Sequence, residues 1–568
     1  MKGIGVSPGI SIGKAFVLKK TKATISGILL NSENETLLEI ERFDKAVDSA
    51  VIEIEGIRDN ASLSDDDLAI LETQIELLTD PQIKADVIEK IETDKKNAND
   101  ALIEVISNYV QLFKGMEDEY MRARAADVQD IGNSILKHLT GSGNAQTEKF
   151  EPNTIIIAED IAPSDTLTMD INLIIGFATQ VGSRTSHAAI IAKSKGIPAV
   201  VGCGGELSTV NTNDVIILDG TTGFVLINPA QELIEEYTLK RDVYREQSIK
   251  LKALKDAPAI TTDGKEITLL ANIGSADDME AIFENGGEGV GLLRTEMLFM
   301  DRTSFPTEDE QFEFYKNVAL RSKSKSVIVR TIDIGGDKHL PYFNLPAELN
   351  PFLGYRAIRI CLDRKDLFIT QLKAVLRASI FGDLRIMFPM ISNVQEIRSA
   401  KNILQESKAE LVNDNISFNA DIKVGIMIEI PSAAIMADIL AKEVDFFSIG
   451  TNDLCQYTLA VDRMNEKISH LYDPYNPGVL RLISNVIEQG HKHDIEVGMC
   501  GEMASDPLAT LMLLGMGLKD FSMSAASIPT IKNIIINNSE SMAKQVYQKV
   551  MEMDSSEDIS AYLKEVAL

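Results

Sequence analysis

After residue 259 the sequence sets down eight short apolar runs in succession: ITLLANIG, GVGLLRTE, VIVRTID, LRIMFPM, VGIMIEI, FFSIGTND, VGMCGE and FSMSA. Segments with helical periodicity, such as EIRSAKNILQESKAEL and PLATLMLLGMGL, lie between them. Parallel strands need crossovers of this length, and eight strand–helix units in about 300 residues predict a (β/α)8 barrel over 259–568. Such a barrel gathers its chemistry at the C-terminal ends of its strands. Those ends read Arg294, Arg330, Glu429, Asn452, Asp453, Cys500 and Glu502.

Any single arginine is ordinarily a surface or ion-pair residue. Arg294 and Arg330, joined by Arg356 in NPFLGYRAIR and Arg463 in LAVDRM, would instead surround a small polyanion. Guanidinium groups grip phosphate and carboxylate bidentately, which a point-charge lysine does less well. Glu429 and Asp453 either cap helices or offer oxygen ligands to Mg²⁺, an ion commonly held by one or two carboxylates together with substrate phosphate oxygens. The set predicts a small phosphorylated acid as ligand. A buried thiol such as Cys500 is usually inert packing, but beside an enolate carbon it would act as a general acid. No GxxxxGK[ST] motif supports P-loop use of ATP, and the run Gly287-Glu-Gly289-Val-Gly291 reads as tight packing ahead of the second barrel strand.

The first half of the chain changes texture twice. Strand-like runs occupy residues 1–20, and others return in TIIIA, INLIIGF, IPAVVG, DVIILD and GFVLIN, so 1–20 and 145–229 read as one α/β domain. Between them, 21–144 is almost free of proline and has helical spacing, which makes it an inserted all-helical domain. Residues 61–100 hold eleven acidic residues against four lysines, either a solvated helix face or a docking face for a small basic partner. Residues 230–258 are charged throughout and read as an exposed linker helix. The net charge of −29 has the wrong sign for nonspecific binding to nucleic acid or anionic membrane. Four scattered cysteines, no apolar leader and no long charge-free stretch predict a cytoplasmic protein.

In GSRTSHAAIIAKSKGIPAVVG a polar turn enters an apolar helix, with His187 near its N-terminus. A histidine so placed is most often structural. Unprotonated, it is also a nucleophile whose phosphoryl adduct the helix end would stabilise. His491 and His493 form an HxH pair with no third ligand in view, a weak metal signal.

The stretches GSRTSHAAIIAKS, GLLRTEMLFMDR, IVRTIDIGGDK, LNPFLGYRAIR, DFFSIGTNDLCQYTLAVDR and GMCGEMASDP together resemble the phosphoenolpyruvate-protein phosphotransferases, the enzyme I family of the bacterial sugar phosphotransferase system. The resemblance runs along essentially the whole chain. It implies that His187 is the phosphorylated nucleophile and Cys500 the proton donor. Arg294, Arg330, Arg356, Arg463 and Asn452 then bind phosphoenolpyruvate, and Glu429 and Asp453 hold Mg²⁺. It also implies a reaction. The phosphoryl group passes from phosphoenolpyruvate to His187, pyruvate is released, and the phosphoryl group moves on to a histidine of the carrier HPr, docked on the helical domain. A homodimer forms through the barrel.

Two positions depart from the family pattern. Ser183 stands where a second glycine is common, and Gln74 stands where the docking helix often carries histidine. Pyruvate phosphate dikinase and phosphoenolpyruvate synthase share the histidine and barrel domains, but the zones of this chain leave no room for their nucleotide-binding domain. A metal-dependent aldolase or lyase would leave His187 and the helical insertion idle. A silent phosphoenolpyruvate sensor would not need every matching catalytic position intact.

Overall fold

TIIIA carries one polar side chain, Thr154, whose hydroxyl donates to the Glu151 carbonyl at 2.7 Å, and the strand it forms is buried at every residue, as a parallel strand covered on both faces must be. The computed structural model describes residues 1–18, 25–27, 29–60, 65–115, 119–140, 150–161, 169–182, 186–300, 302–336, 338, 340, 342–343, 345–346, 348–465 and 467–566. Two compact units, Met1–Gln247 and Ser248–Leu568, make up the chain.

Seven strands of the first unit form one sheet: β1 (Ile4–Ser7), β2 (Ile10–Val17), β3 (Thr154–Ala158), β4 (Ile174–Thr179), β5 (Ala199–Val201), β6 (Val215–Asp219) and β7 (Phe224–Ile227). Their spatial order is β1-β5-β4-β3-β2-β6-β7. β2 and β3 pair in parallel, from Lys14 opposite Thr154 to Val17 opposite Ile157, although the helical block separates them in sequence. That block is therefore an insertion between two neighbouring strands. Ile156 packs on one face of the sheet, and Ile155 and Ile157 on the other.

The insertion contains α1 (Glu33–Asn60), α2 (Asp65–Leu78), α3 (Pro81–Thr93), α4 (Ala98–Lys114) and α5 (Glu119–Leu139). They share a core of their own around Phe43, Leu71, Val87, Ile91, Leu102 and Ile135. Two helix starts are explicit in the sequence. Asp80 accepts the Gln82 and Ile83 N–H groups ahead of Pro81, and Asn97 accepts the Asp100 N–H. After the sheet's α6 (His187–Lys195) comes α7 (Gln231–Ala253), which buries no residue.

In the second unit, the eight expected strands close into a barrel: β8 (Thr268–Ile273), β9 (Val290–Leu293), β10 (Val327–Arg330), β11 (Leu384–Phe388), β12 (Val424–Ile428), β13 (Phe446–Ile449), β14 (Glu496–Met499) and β15 (Asp520–Met523). β15 pairs in parallel with β8 to complete the ring. Leu292, Ile328, Met387, Met427 and Phe446 form a cluster contributed by five different strands, joined by Cys500. Gly291 serves close packing, as its motif suggested: a Cβ there would come 2.4 Å from Ser522 Oγ. At the start of this unit, the ammonium of Lys532 is buried. It donates to the carbonyls of Lys255 at 3.1 Å and Ala257 at 3.0 Å, just beyond the end of α7, and to that of Gly286 at 2.9 Å.

Candidate active site

Arg294 follows β9 directly and is exposed, whereas Arg330 ends β10 and is buried. Glu429 stands one residue past β12, Cys500 one past β14, and Asn452 and Asp453 occupy the first turn of the helix Thr451–Leu459 after β13. Arg356 and Arg463 come from the connections after β10 and β13. All eight line one cavity of about 1030 Å³ at the strand ends. His187 belongs to the other unit, where it opens α6 behind Ser186. Its side chain lies outside the described residues, as do Ser183, Arg184 and Thr185.

The cavity wall holds groups that the sequence reading did not single out. Arg330 pairs through Nη2 with Glu296 and through Nη1 with Asp333 Oδ2 at 3.1 Å. Lys338 Nζ reaches Glu296 and Asp333, both at 3.1 Å. Arg356 Nη2 donates to Asp333 Oδ1 at 2.8 Å, and its Nη1 donates to the Tyr457 hydroxyl at 3.1 Å. Tyr457 in turn donates to the Phe352 carbonyl at 2.7 Å. Three cations against two carboxylates leave the cluster with one surplus positive charge beside the cavity.

Burial alone would raise the Glu296 and Asp333 carboxyls. The cations around them win, Arg330 foremost, and hold both below the ordinary carboxylate range. Burial likewise opposes the charges of Arg330 and Arg356, and the facing carboxylates overcome it. The Nε groups of both arginines are buried with no hydrogen-bond partner. Buried donors left unpaired are costly, so this wall carries two unsatisfied N–H groups that its ion pairs must offset.

Beside these cations, at Glu429, the balance reverses. Burial, then the neighbouring charge of Asp453, push the Glu429 carboxyl upward. Its Oε1 accepts the Met390 N–H at 2.5 Å. A Cβ at Gly450 would stand 3.2 Å from Oε2, so this glycine leaves the carboxylate its room. Asp453 meets only distant partners, Arg356 at 3.6 Å and Arg463 at 3.8 Å. Two carboxylates with unspent acceptor capacity, one of them destabilised as an anion, fit a hard divalent cation that takes its other ligands from water and substrate. Among the described residues no group of three His, Cys, Asp or Glu side chains could hold a metal. His493 Nδ1 instead bonds the Gln489 carbonyl at 2.9 Å.

Cys500 is buried, and burial raises its thiol above the ordinary value. It therefore stays protonated at neutral pH, the form a proton donor needs. Its carbonyl accepts from Asn272 Nδ2 at 3.0 Å, and Ser522 Oγ donates to Asn272 Oδ1 at 2.6 Å. Asn452 and Glu502 are fixed by a reciprocal pair: Asn452 Nδ2 donates to Glu502 Oε1 at 3.2 Å, and the Glu502 N–H donates to Asn452 Oδ1 at 2.9 Å. Gln74, in α2, is buried with Oε1 unpartnered.

One available signal for the missed groups was the acidic residue two or three places after each strand-end arginine, Glu296 after Arg294 and Asp333 after Arg330. A buried arginine needs such a partner.

Three family models match the chain. "PEP-utilising enzyme, N-terminal" covers residues 2–124, "PEP-utilising enzyme, mobile domain" covers 150–223, and "PEP-utilising enzyme, PEP-binding domain" covers 248–540. Among curated relatives, the phosphoenolpyruvate-protein phosphotransferase of Bacillus subtilis is 47% identical, over 100% of this chain and 99% of its own. The Staphylococcus carnosus protein of the same name is 46% identical, over 100% of this chain and 98% of its own. That of Geobacillus stearothermophilus is 46% identical, over 99% of this chain and 97% of its own.

Proposed function

The chain belongs to the phosphoenolpyruvate-protein phosphotransferase family, and from that premise we propose how its residues divide the work. The enzyme moves the phosphoryl group of phosphoenolpyruvate to its own histidine and then to a histidine of HPr, releasing pyruvate, as the first step of sugar uptake by the phosphotransferase system. The observation that carries the residue assignment is one cavity that brings the buried guanidinium groups of Arg330 and Arg356, with half-buried Lys338 beside them, next to the carboxylate pair Glu429 and Asp453.

Arg294, Arg330 and Arg463 grip the phosphoryl oxygens, and Arg356 with Asn452 completes the substrate site. Guanidinium forks set in a desolvated wall stabilise charge without reorganising. Glu429 and Asp453 hold Mg²⁺, which when bound neutralises phosphoryl and enolate oxygen charge. His187 Nε2 attacks phosphorus. The P–N bond forms as the P–O bond to the enol oxygen breaks, and the electron pair stays on that oxygen. The Cys500 thiol protonates the terminal carbon to give pyruvate, and the thiolate regains its proton from solvent. HPr docks on the acidic helical insertion and takes the phosphoryl group from His187. The chain acts as a homodimer joined through the barrel, a reading supported by exposed apolar side chains there such as Leu353, Ile435 and Leu471. It works in the cytoplasm. No helix among the described residues is long and apolar enough to cross a membrane.

Incubation with ³²P-labelled phosphoenolpyruvate and Mg²⁺ tests the assignment. Acid-labile, base-stable label is expected on the full chain and none on His187→Ala. Label retained by that variant would move the nucleophile elsewhere.

A further inference from the structure

The helix Lys365–Ala378 buries Phe368, Leu372, Ala374, Val375, Leu376 and Ala378, and among these apolar residues a single amide, Gln371. Gln371 has no exposure. An amide in such a place weakens a core unless both of its ends are paired. Here both are. Oε1 accepts the Ile332 N–H at 2.9 Å, and Nε2 donates to the Tyr315 hydroxyl at 3.0 Å. Nε2 also lies 3.4 Å from Thr295 Oγ1, and that hydroxyl donates to the Arg330 carbonyl at 3.0 Å.

The partners share one property. Thr295 immediately follows Arg294, and Ile332 stands two residues past Arg330. The network therefore sits beneath the ends of two adjacent barrel strands and ties them to the helix Glu308–Arg321 through Tyr315. Gln371, Thr295, Tyr315 and Ile332 are all absent from the cavity lining, so none of them touches substrate. We propose that Gln371 is a positioning residue for the phosphoenolpyruvate reaction: its amide joins the backbone around Arg294 to that around Arg330, so that two guanidinium groups meet one phosphoryl group. This rests on the functional reading above.

Buried networks of this kind act as units, and fully satisfied ones fix a single geometry. Catalysis is sensitive to that geometry, since a misplacement of about 1 Å in a reacting group can cost on the order of 100-fold in rate. Leucine or methionine at 371 would pack as well as glutamine but would leave the strand ends untied.

The test uses the full chain and rapid-quench labelling from phosphoenolpyruvate. Gln371→Met should lower the labelling rate at saturating phosphoenolpyruvate by about tenfold or more. Transfer from already labelled enzyme to HPr should not change, because that step does not use the barrel arginines. Gln371→Glu should recover most of the rate while its buried carboxyl is protonated, one donor and one acceptor surviving. That recovery should fade as rising pH ionises the side chain, a profile that a pure packing role would not produce. Thr295→Val, which deletes only the hydroxyl on the Arg330 carbonyl, should slow labelling in the same direction and carries the test if Gln371→Met does not fold. Double substitution should be less than additive. A Gln371→Met protein that melts earlier yet labels at the unsubstituted rate would overturn the proposal and leave the proposed function intact. An unsubstituted chain that takes no label would overturn both.

Discussion

In the helical insertion, Lys96 and Glu104 pair with side chains 28% and 30% exposed, and Lys90 and Asp94 extend the same network. In the barrel, Arg330 and Glu296 pair at 10% and 6% exposure, with Asp333 at 2%. The first network keeps its water and gains little from each contact. The second has given up hydration, so removing one member strands the others in a low dielectric. Charge in the insertion stays open to solvent. Charge in the barrel is locked among buried partners, with the Nε groups of Arg330 and Arg356 left unpaired.

Several substitutions would break or sharpen that contrast. The largest effect is expected at His187→Ala: complete loss of label from phosphoenolpyruvate, with Mg²⁺-dependent phosphoenolpyruvate binding, followed by calorimetry, unchanged because the cavity lining lies in the other unit. Equal loss of binding would mean that histidine and arginines form one composite pocket.

Asp333→Ala comes next. It deprives Arg330, Arg356 and Lys338 of a shared partner, and breaking a buried pair of this kind costs about 3–5 kcal/mol. Urea unfolding of the full chain should show the barrel transition displaced by that amount, and a displacement near zero would contradict the buried-network reading. Arg294→Lys should leave stability alone, since Arg294 is exposed. Loss of its bidentate fork should slow labelling on the order of 100-fold.

Acid should expose the same contrast. Glu296 and Asp333 are held below their ordinary values of 4.5 and 3.8. As pH falls through that range the unfolded chain takes up protons that the folded barrel refuses, so the stability these groups contribute is complete above it and drains away below about pH 4. Thermal melts from pH 6 to pH 3 should show the barrel transition falling steeply only at the acid end, and Glu296→Gln should flatten that fall. The smallest effect is expected for Glu104→Gln. It should shift melting slightly in dilute buffer and not at all in 1 M salt, where surface charges are screened. A large, salt-resistant shift would mean that the exposed network is not what its exposure implies.

The barrel was legible because its strands are short, largely apolar runs separated by segments of helical period, and because strand ends are where functional groups collect. Arg294, Arg330, Glu429, Asp453 and Cys500 could be picked out on that ground alone. Glu296, Asp333 and Lys338 went unremarked: the first two follow the strand-end arginines at two or three places, a spacing that supplies partners for buried cations, while Lys338 lies in a connection whose direction is set by tertiary packing. Gln371 was less visible still. One polar residue in an amphipathic helix reads as solvent-facing until the fold shows that the whole face is covered. Gln74, noted in the sequence as standing where the docking helix often carries histidine, has a buried side chain. Ser183, the other departure, lies outside the described residues.

Lys532 has a mechanical consequence. α7 is 23 residues long, a rod of about 35 Å, and the chain just past its end is held at the carbonyls of Leu254, Lys255 and Ala257 rather than at one. A foot gripped at several points resists rotation as a clamp does, where a single bond would act as a pivot. Each degree of tilt at that foot would sweep the other end of a rod this long through roughly 0.6 Å. Removing the ammonium, as in Lys532→Met, would convert a stiff joint into a compliant one without altering a residue of the cavity.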